Sequence, residues 1–433
     1  MVFGTRFDYA VIRESEDFSI FYRKYKPLYF AKMYATETLR GEKSVLLATE
    51  KVRLADWHKG IREIIKQLDD TNVKILTAMW KYGPRNLLEV SRRTGIPFTS
   101  VYHRVAKLEK KSKRVATVCP QIAKLGMIRV VVLATATPGA EDKVTMALKQ
   151  PNLWRSVERC EGSYTHLSVQ CVPIKYISQF KKYLRRLTEL KLATQCKTIL
   201  TSDYIPNFPD FGYYNPSINQ WSFAWNKWLD ALRRKPSKTI EDPTSYAVCV
   251  DKKDLLIIKE LQKNARRSFA DLAPILGISL QGVKYHFDKK LIPSGIVKYY
   301  NFDVWPYPEE VSACHEVLLE FPNKQAMNRF LSLTDELFFV LGVAKVLRQN
   351  QLLVRTYTLQ TQVPSLFAFL SQMANHGFLD SYSSVRHSFI SREAQPVSYE
   401  LFEEGVGWTF DLRKRLSELS KLARATTIRE KAR

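Results

Sequence analysis

The sequence predicts an α+β chain in which a winged helix-turn-helix is followed by a βαββαβ sheet unit, and the whole arrangement then occurs a second time. Three observations predict it. Residues 69–105 and 251–287 align without a gap at a constant offset of 182, placing Asp69 opposite Asp251, Ile75 opposite Ile257, Arg85 opposite Arg267, Gly95-Ile96 opposite Gly277-Ile278 and Val101 opposite Val283. Within each stretch the apolar residues recur at helical spacing and are interrupted by a glycine. Each stretch is then followed by β-branched runs alternating with amphipathic ones. A shared offset across that many positions argues against coincidence, and a repeat of this length marks repeated structural units.

In the first unit Val73, Leu76 and Trp80 fall on one helical face. Asn86 with Glu89, and Ser268 with Asp271, read as capping boxes that open a second helix, whose inner face is Leu87 and Val90 or Phe269 and Leu272. Gly95 and Gly277 sit where the inter-helix turn needs a residue tolerant of positive φ, and Ile96 and Ile278 plug the core behind it. In the third helix Val101, Val105 and Leu108 face inward. Its outer face is left with Phe98, Thr99, Ser100, Tyr102, His103 and Lys107, and Arg104 belongs to the basic residues that crowd beside them. The matching outward set is Leu280, Gln281, Lys284, Tyr285 and Lys289. Short polar groups at the start of such a helix can reach base edges, and the cations behind them can contact phosphates. Ser279 is expected to cap the second recognition helix, whereas Pro97 pre-sets φ for the first. Lys111–Val118, with Lys111, Lys113 and Arg114, reads as a hairpin wing aimed at the phosphate backbone. Residues 294–299 read as its counterpart. Lys290 stands where the offset puts inward Leu108, and Pro274 lies inside the second unit's middle helix, so that unit reads as a weaker, partly structural version.

The stretches that follow give strand 127–136, helix 141–149, strands 153–159 and 165–172, helix 174–191 and strand 192–200. The same order returns as strand 311–320, helix 323–333, strands 337–346 and 351–360, helix 363–376 and strand 378–388. That order is a ferredoxin-like βαββαβ sandwich. The division is then an N-terminal extension (1–67), helix-turn-helix 1 (68–120), sheet unit 1 (124–200), a Pro/Trp-rich linker (201–248), helix-turn-helix 2 (249–302), sheet unit 2 (308–388) and a basic, partly helical tail (389–433).

A winged helix-turn-helix followed by βαββαβ resembles the leucine-responsive regulatory protein/AsnC family. The resemblance rests on Leu68-Asp69, Asp251-x-x-Asp254, Gly95-Ile96, Gly277-Ile278-Ser279, Val101-x-x-x-Val105-x-x-Leu108-Glu109, Leu125-Gly126 and the turn Glu161-Gly162-Ser163-Tyr164. It implies a prokaryotic transcription regulator that binds double-stranded DNA. It implies dimerisation through the sheet units, here as an intramolecular pseudo-dimer or a homodimer. It also implies a small effector such as an amino acid, with Gly162, Ser163 and Tyr164 as its site. Thr165 departs from the family's acidic residue at that turn, and the second turn, Leu347-Arg348-Gln349-Asn350-Gln351, lacks the motif.

Composition agrees with a polyanionic partner. Lys and Arg number 67 against 43 Asp and Glu, a formal net charge of +24. The 45% apolar content excludes wholesale disorder. The cysteines (Cys119, Cys160, Cys171, Cys196, Cys249, Cys314) show no metal-ligand spacing and read as reduced thiols. No signal segment or apolar run of membrane-spanning length is present, so the expected setting is the cytoplasm, at the nucleoid, with no membrane partner. The seven histidines are scattered with no carboxylate at a telling spacing, so no catalytic residue, cofactor or metal is assigned and the chain reads as a non-enzyme. The alternatives are an architectural DNA-binding protein and, because siroheme decarboxylases resemble this family in fold, a siroheme-decarboxylase-like enzyme.

Three segments say less. Phe21–Phe30 interleaves aromatics with positive charge, which suits nucleic-acid contact and equally a strand covering a sheet. Trp221, Trp225 and Trp228 at helical spacing read as packing. In the tail, Leu412, Leu416, Leu419 and Ala423 share one helical face, suited to docking on the fold, to another chain or to DNA.

Overall fold

The computed structural model describes residues 54–425; the basic-aromatic stretch 21–30 and the last eight residues lie outside them. Helix α1 (Leu54–Ile65) precedes the first three-helix unit, α2 (Asp70–Tyr82), α3 (Leu87–Thr94) and α4 (Phe98–Ser112). Each helix is stopped or started by its sequence. Asp69 caps α2 by accepting from the Asn72 N–H, and Asn86 caps α3 by accepting from the Glu89 N–H. Gly95 ends α3 at φ 70°, a conformation a Cβ would strain. The Asn86 box is half formed, because the Glu89 carboxylate turns instead to Arg93 one helical turn on (2.8 Å). Ile75, Leu76, Met79, Val90, Val101, Val105 and Leu108 close the core, each fully buried. The inner face of α2 is thus one position away from the expected Val73 and Trp80, which are only half buried.

The second unit comprises α8 (Lys252–Lys263), α9 (Phe269–Leu276) and α10 (Leu280–Tyr285), which continues into one π-helical turn, His286–Leu291. A π turn inserts one residue into a helix. The insertion corrects the expectation for Lys290: Leu291 takes the buried position of Leu108, and Lys290 swings out to Asp251 (2.8 Å). Pro274 is exposed, and α9 runs through it to the αL residue Gly277, φ 63°.

The expected hairpin wings do not form. Strand β1 (Ala116–Pro120) pairs antiparallel with β9 (Val297–Phe302), Ala116 opposite Phe302 and Val118 opposite Tyr300. The returning strand of each wing therefore comes from the other three-helix unit. Burial decides this, since Ala116, Val118, Val297 and Phe302 are all buried in the core the two units share, which isolated hairpins would leave wet.

A nine-stranded sheet holds β2 (Met127–Ala136), β3 (Trp154–Glu161), β4 (His166–Pro173), β5 (Ala193–Thr201), β6 (Ile205–Pro206), β10 (Ser312–Glu320), β11 (Val340–Lys345), β12 (Gln351–Leu359) and β13 (Ser381–Ala394), in the order β5-β2-β4-β3-β13-β10-β12-β11-β6. β13 runs past the expected end at 388 because its extension pairs across a bulge with β3, joining the two half-sheets. The outer strands meet as well: Ser202 N–H donates to Lys345 O (2.8 Å) and Leu347 N–H to Leu200 O (2.9 Å). The sheet thus curls on itself, and Val131, Leu133, Leu167 and Ile199 of one half pack with Leu353 and Val385 of the other. Helices α5 (Glu141–Lys149) and α6 (Ile177–Glu189) cover the outside of the first half, with α11 (Lys324–Leu333) and α12 (Val363–Asn375) outside the second.

Each half is followed by a small hairpin and a helix. These are β7 (Tyr214–Asn215), β8 (Gln220–Trp221) and α7 (Trp225–Ala231), then β14 (Phe402–Glu403), β15 (Gly407–Trp408) and α13 (Leu412–Arg424). Trp221 lies in β8 and not on the helix with Trp225 and Trp228, which corrects the helical row, yet Trp221 and Trp228 are buried in an aromatic cluster with Phe338. Of the three fates open to the tail, the described part docks: Leu419 is fully buried against α5 and α6.

Candidate nucleic-acid interface

The outer face of α4 presents Phe98, Thr99, Ser100, Tyr102, His103 and Lys107, all exposed, with Tyr102 edge-on to His103 (centroids 5.8 Å). Pro97 gives the helix start no side-chain cap, so no side chain competes with an incoming acceptor there. Lys111 and Lys113 are exposed just beyond, Lys113 at φ 67°. The other two predicted phosphate contacts already have carboxylate partners within the chain. Arg104 clamps the Asp69 carboxylate (2.7 and 3.0 Å) and Asn72, and Arg114 donates to the buried Asp303 (2.6 Å). Partial burial opposes charge on Asp69, but the Arg104 and Asn72 hydrogen bonds outweigh it and hold the carboxyl below its usual range. The sequence missed this clamp, although the repeat contains its signal. The offset of 182 puts His286 opposite Arg104 and Asp254 opposite Asn72, and His286 Nδ1 lies 2.6 Å from Asp254.

On the second unit, Leu280, Gln281, Lys284, Tyr285 and Lys289 are exposed, while the Ser279 hydroxyl is occupied as the cap, accepting from the Gly282 N–H (3.1 Å). Asp251, Asp254 and His286 bring three metal-ligating atoms within 4.8 Å, but the Lys290 ammonium bonded to Asp251 already supplies a cation there.

The two units are locked to each other. Arg85 donates to the Ala265 and Arg267 carbonyls (2.7 and 2.9 Å) and lies over the Phe269 ring. In return Arg266 donates to the Pro84 carbonyl (2.7 Å) and pairs with Glu109. With the β1–β9 pair, this clasp fixes α4 and α10 relative to one another.

Gly162, Ser163 and Tyr164 form the tight turn between β3 and β4, with Gly162 at φ 107° and the Thr135 hydroxyl donating to the Ser163 carbonyl (2.8 Å). They line neither of two cavities found elsewhere in the described residues. One, of about 640 Å³, has walls that include Trp80, Phe208 and Tyr299. The other, of about 530 Å³, is lined in part by Gln121, Asp203 and Ser294.

The curled sheet also assembles a charged group that sequence spacing concealed. His387 on β13 bonds Glu158 on β3 (2.6 Å) and lies 3.4 Å from Glu316 on β10, which accepts from Arg355 on β12 (2.8 Å). Burial opposes every one of these charges, and mutual attraction overcomes it: Arg355 and His387 hold Glu316 down to about 2, and Glu158 raises His387. The four residues come from four strands, so no linear motif announces them.

Among known proteins, a family model described as winged helix-turn-helix DNA-binding matches residues 250–298. No curated relative matches the sequence. Among solved structures, a siroheme decarboxylase in complex with an iron-uroporphyrin III analogue covers 80% of this chain and 98% of its own, at 10% identity and a TM-score of 0.49. A Neisseria meningitidis transcriptional regulator in complex with L-Met covers 31% and 88%, at 18% identity and a TM-score of 0.26. The leucine response regulatory protein of Mycobacterium tuberculosis covers 31% and 91%, at 18% identity and a TM-score of 0.24. The chain thus contains a winged helix-turn-helix DNA-binding domain and is similar in fold to solved AsnC family regulators over about 31% of its length. The classification as a non-enzyme is withdrawn, because the structures matching most of the chain are those of an enzyme. No helix among the described residues is long and apolar enough to cross a membrane.

Proposed function

We propose that this chain is a sequence-specific transcription regulator, built from a tandem duplication, that reads promoter duplex DNA with α4 and α10. The winged helix-turn-helix match at 250–298 carries the reading. The exposed outer face of α4 supports it, with Thr99 and Ser100 ahead of Lys107 and Lys111, and so does the surplus of 24 positive charges. In this reading the domains divide near the boundaries drawn from the sequence, with sheet unit 2 extended to residue 394, and the two units act as an intramolecular pseudo-dimer. Because Phe98 stands opposite Leu280 and His103 opposite Tyr285, the two faces differ, and the target need not be palindromic. A small effector such as an amino acid, the ligand class of the Neisseria regulator, is part of the same proposal, with Gly162, Ser163 and Tyr164 as the residues to probe.

The test is a genomic pull-down with the full chain and fragmented DNA at about 0.15 M salt with nonspecific competitor. Enrichment of a few promoter fragments is the expected result. Uniform recovery would mean an architectural protein instead. No recovery would overturn DNA binding and make titration with an iron-tetrapyrrole, followed by absorbance, the next measurement.

A further inference from the structure

The positive surplus is not spread evenly over the molecule. Helices α6 and α13 lie side by side on the outside of the first half-sheet, with Phe180, Tyr183, Leu187 and Leu419 in one buried core beneath them. Their outward faces carry Lys181, Lys182 and Arg185 on α6 and Arg413, Lys414 and Lys421 on α13, all six exposed. Acidic residues on these helices leave the charge standing. Glu189 pairs with Arg186 (2.8 Å) and Glu418 with Arg415 (3.0 Å), each inside its own helix.

The second half-sheet supplies the contrast. Its helix α12 carries no charged residue, α7 carries one lysine and one aspartate, and α11 carries Lys324, paired with Glu241, and the half-buried Arg329. If the cations served only solubility, both halves would share them, and mixed signs would serve as well. Like charges one helical turn apart, such as Lys181 and Arg185, repel and destabilise the free chain. A polyanion relieves that repulsion. The aromatic residues of α6, Phe180 and Tyr183, are buried, and α13 has none, so neither helix offers a ring on which unpaired bases could stack. What remains is contact with the phosphates of a duplex.

We propose that the α6–α13 face is a second DNA-contacting surface, which binds the backbone of the duplex read by the recognition helices, outside the base pairs they touch. It rests on the DNA-binding reading above, and it assigns these residues to affinity and not to sequence choice.

The experiment compares the full chain with a variant carrying K181Q, K182Q, R185Q, R413Q, K414Q and K421Q, and with two variants neutralised on one helix only, in case the combined change unfolds the protein. Affinity is measured against salt for a minimal duplex and for one extended at both ends. Each phosphate contact contributes about 0.9 to the slope of log K against log salt. The extended duplex should lose about 3 to 5 from that slope and more than tenfold in affinity. The minimal duplex should change little, and base preference should not change at all. Equal slopes for variant and parent on both duplexes would overturn the proposal while leaving the regulator reading intact. So would loss of binding to phosphatidylserine vesicles with DNA binding unaltered. If the parent chain itself binds no duplex, while recovering no genomic fragment, the regulator reading fails first and this proposal fails with it.

Discussion

Helices α4 and α10, aligned at one offset in the chain, are built differently. α4 runs unbroken for 15 residues, closes its core with Leu108 and leaves Lys107 free for its outer face. α10 runs for 6 residues before a π turn takes over, and the turn brings Lys290 to Asp251 and Leu291 into the core. The first helix has continuous exposed surface to offer a groove; the second presents less. The contrast teaches that an aligned position is not an equivalent one. One inserted residue moves a lysine out and a leucine in, and no count of matched residues registers it.

The largest effect expected from this contrast is on stability. Leu108→Ala and Leu291→Ala should each cost about 2–5 kcal/mol, since both side chains are fully buried. Lys290→Ala should cost less than about 1 kcal/mol, because its ion pairs are partly exposed. Urea denaturation of the three variants decides it; a larger loss for Lys290 than for Leu291 would remove the π turn from the account.

Next comes discrimination between bases. Thr99→Ala with Ser100→Ala should lower the preference for target over scrambled duplex by about 1–3 kcal/mol, and Gln281→Ala by less. Competition binding measures both. Equal losses would show that the second helix reads as fully as the first.

A third, smaller effect depends on pH. Asp69 and Asp251 cap the first helix of each unit, and both carboxyls are held below their usual range. Burial opposes the ionised form, and hydrogen bonds from Arg104 or Lys290 outweigh it. A depressed carboxyl contributes stability that is fully present above its unfolded pKa, about 4, and is lost as pH falls through the folded value. Asp69→Asn and Asp251→Asn should therefore each lower the melting temperature near neutrality and flatten its fall below about pH 4. Asp251 should show more, being the less exposed of the two (35% against 56%). Thermal scans across that range check the sign. The smallest effect is at the caps, where Ser279→Ala should cost about 1 kcal/mol and Pro97→Ser should gain a few tenths.

Much of this was legible from residues alone. The caps at Ser268 and Ser279, the αL glycines 95 and 277, and most strand and helix limits of the sheet units follow from local chemistry and periodicity. What escaped was set by partners far along the chain. β1 looks like half of a hairpin until Tyr299 and Tyr300 are found opposite it. Arg104 and Arg114 look like phosphate ligands until Asp69 and Asp303 claim them. Glu158, Glu316, Arg355 and His387 are unremarkable one at a time and meet only when four strands align. Periodicity reports which face is inward; it does not report what waits there.

The exchange of strands between the two units bears on how the molecule is made. A ribosome delivers Ala116 long before Phe302, its partner in the ladder. Until the second unit has emerged, the first carries an open edge lined by Val118 and an unfilled seat where Phe302 belongs. Pairing β1 with β9 is therefore a closure over nearly half the chain, slow by the entropy of so long a loop. A nascent chain interrupted in the linker would be a substrate for chaperones and not a smaller working protein.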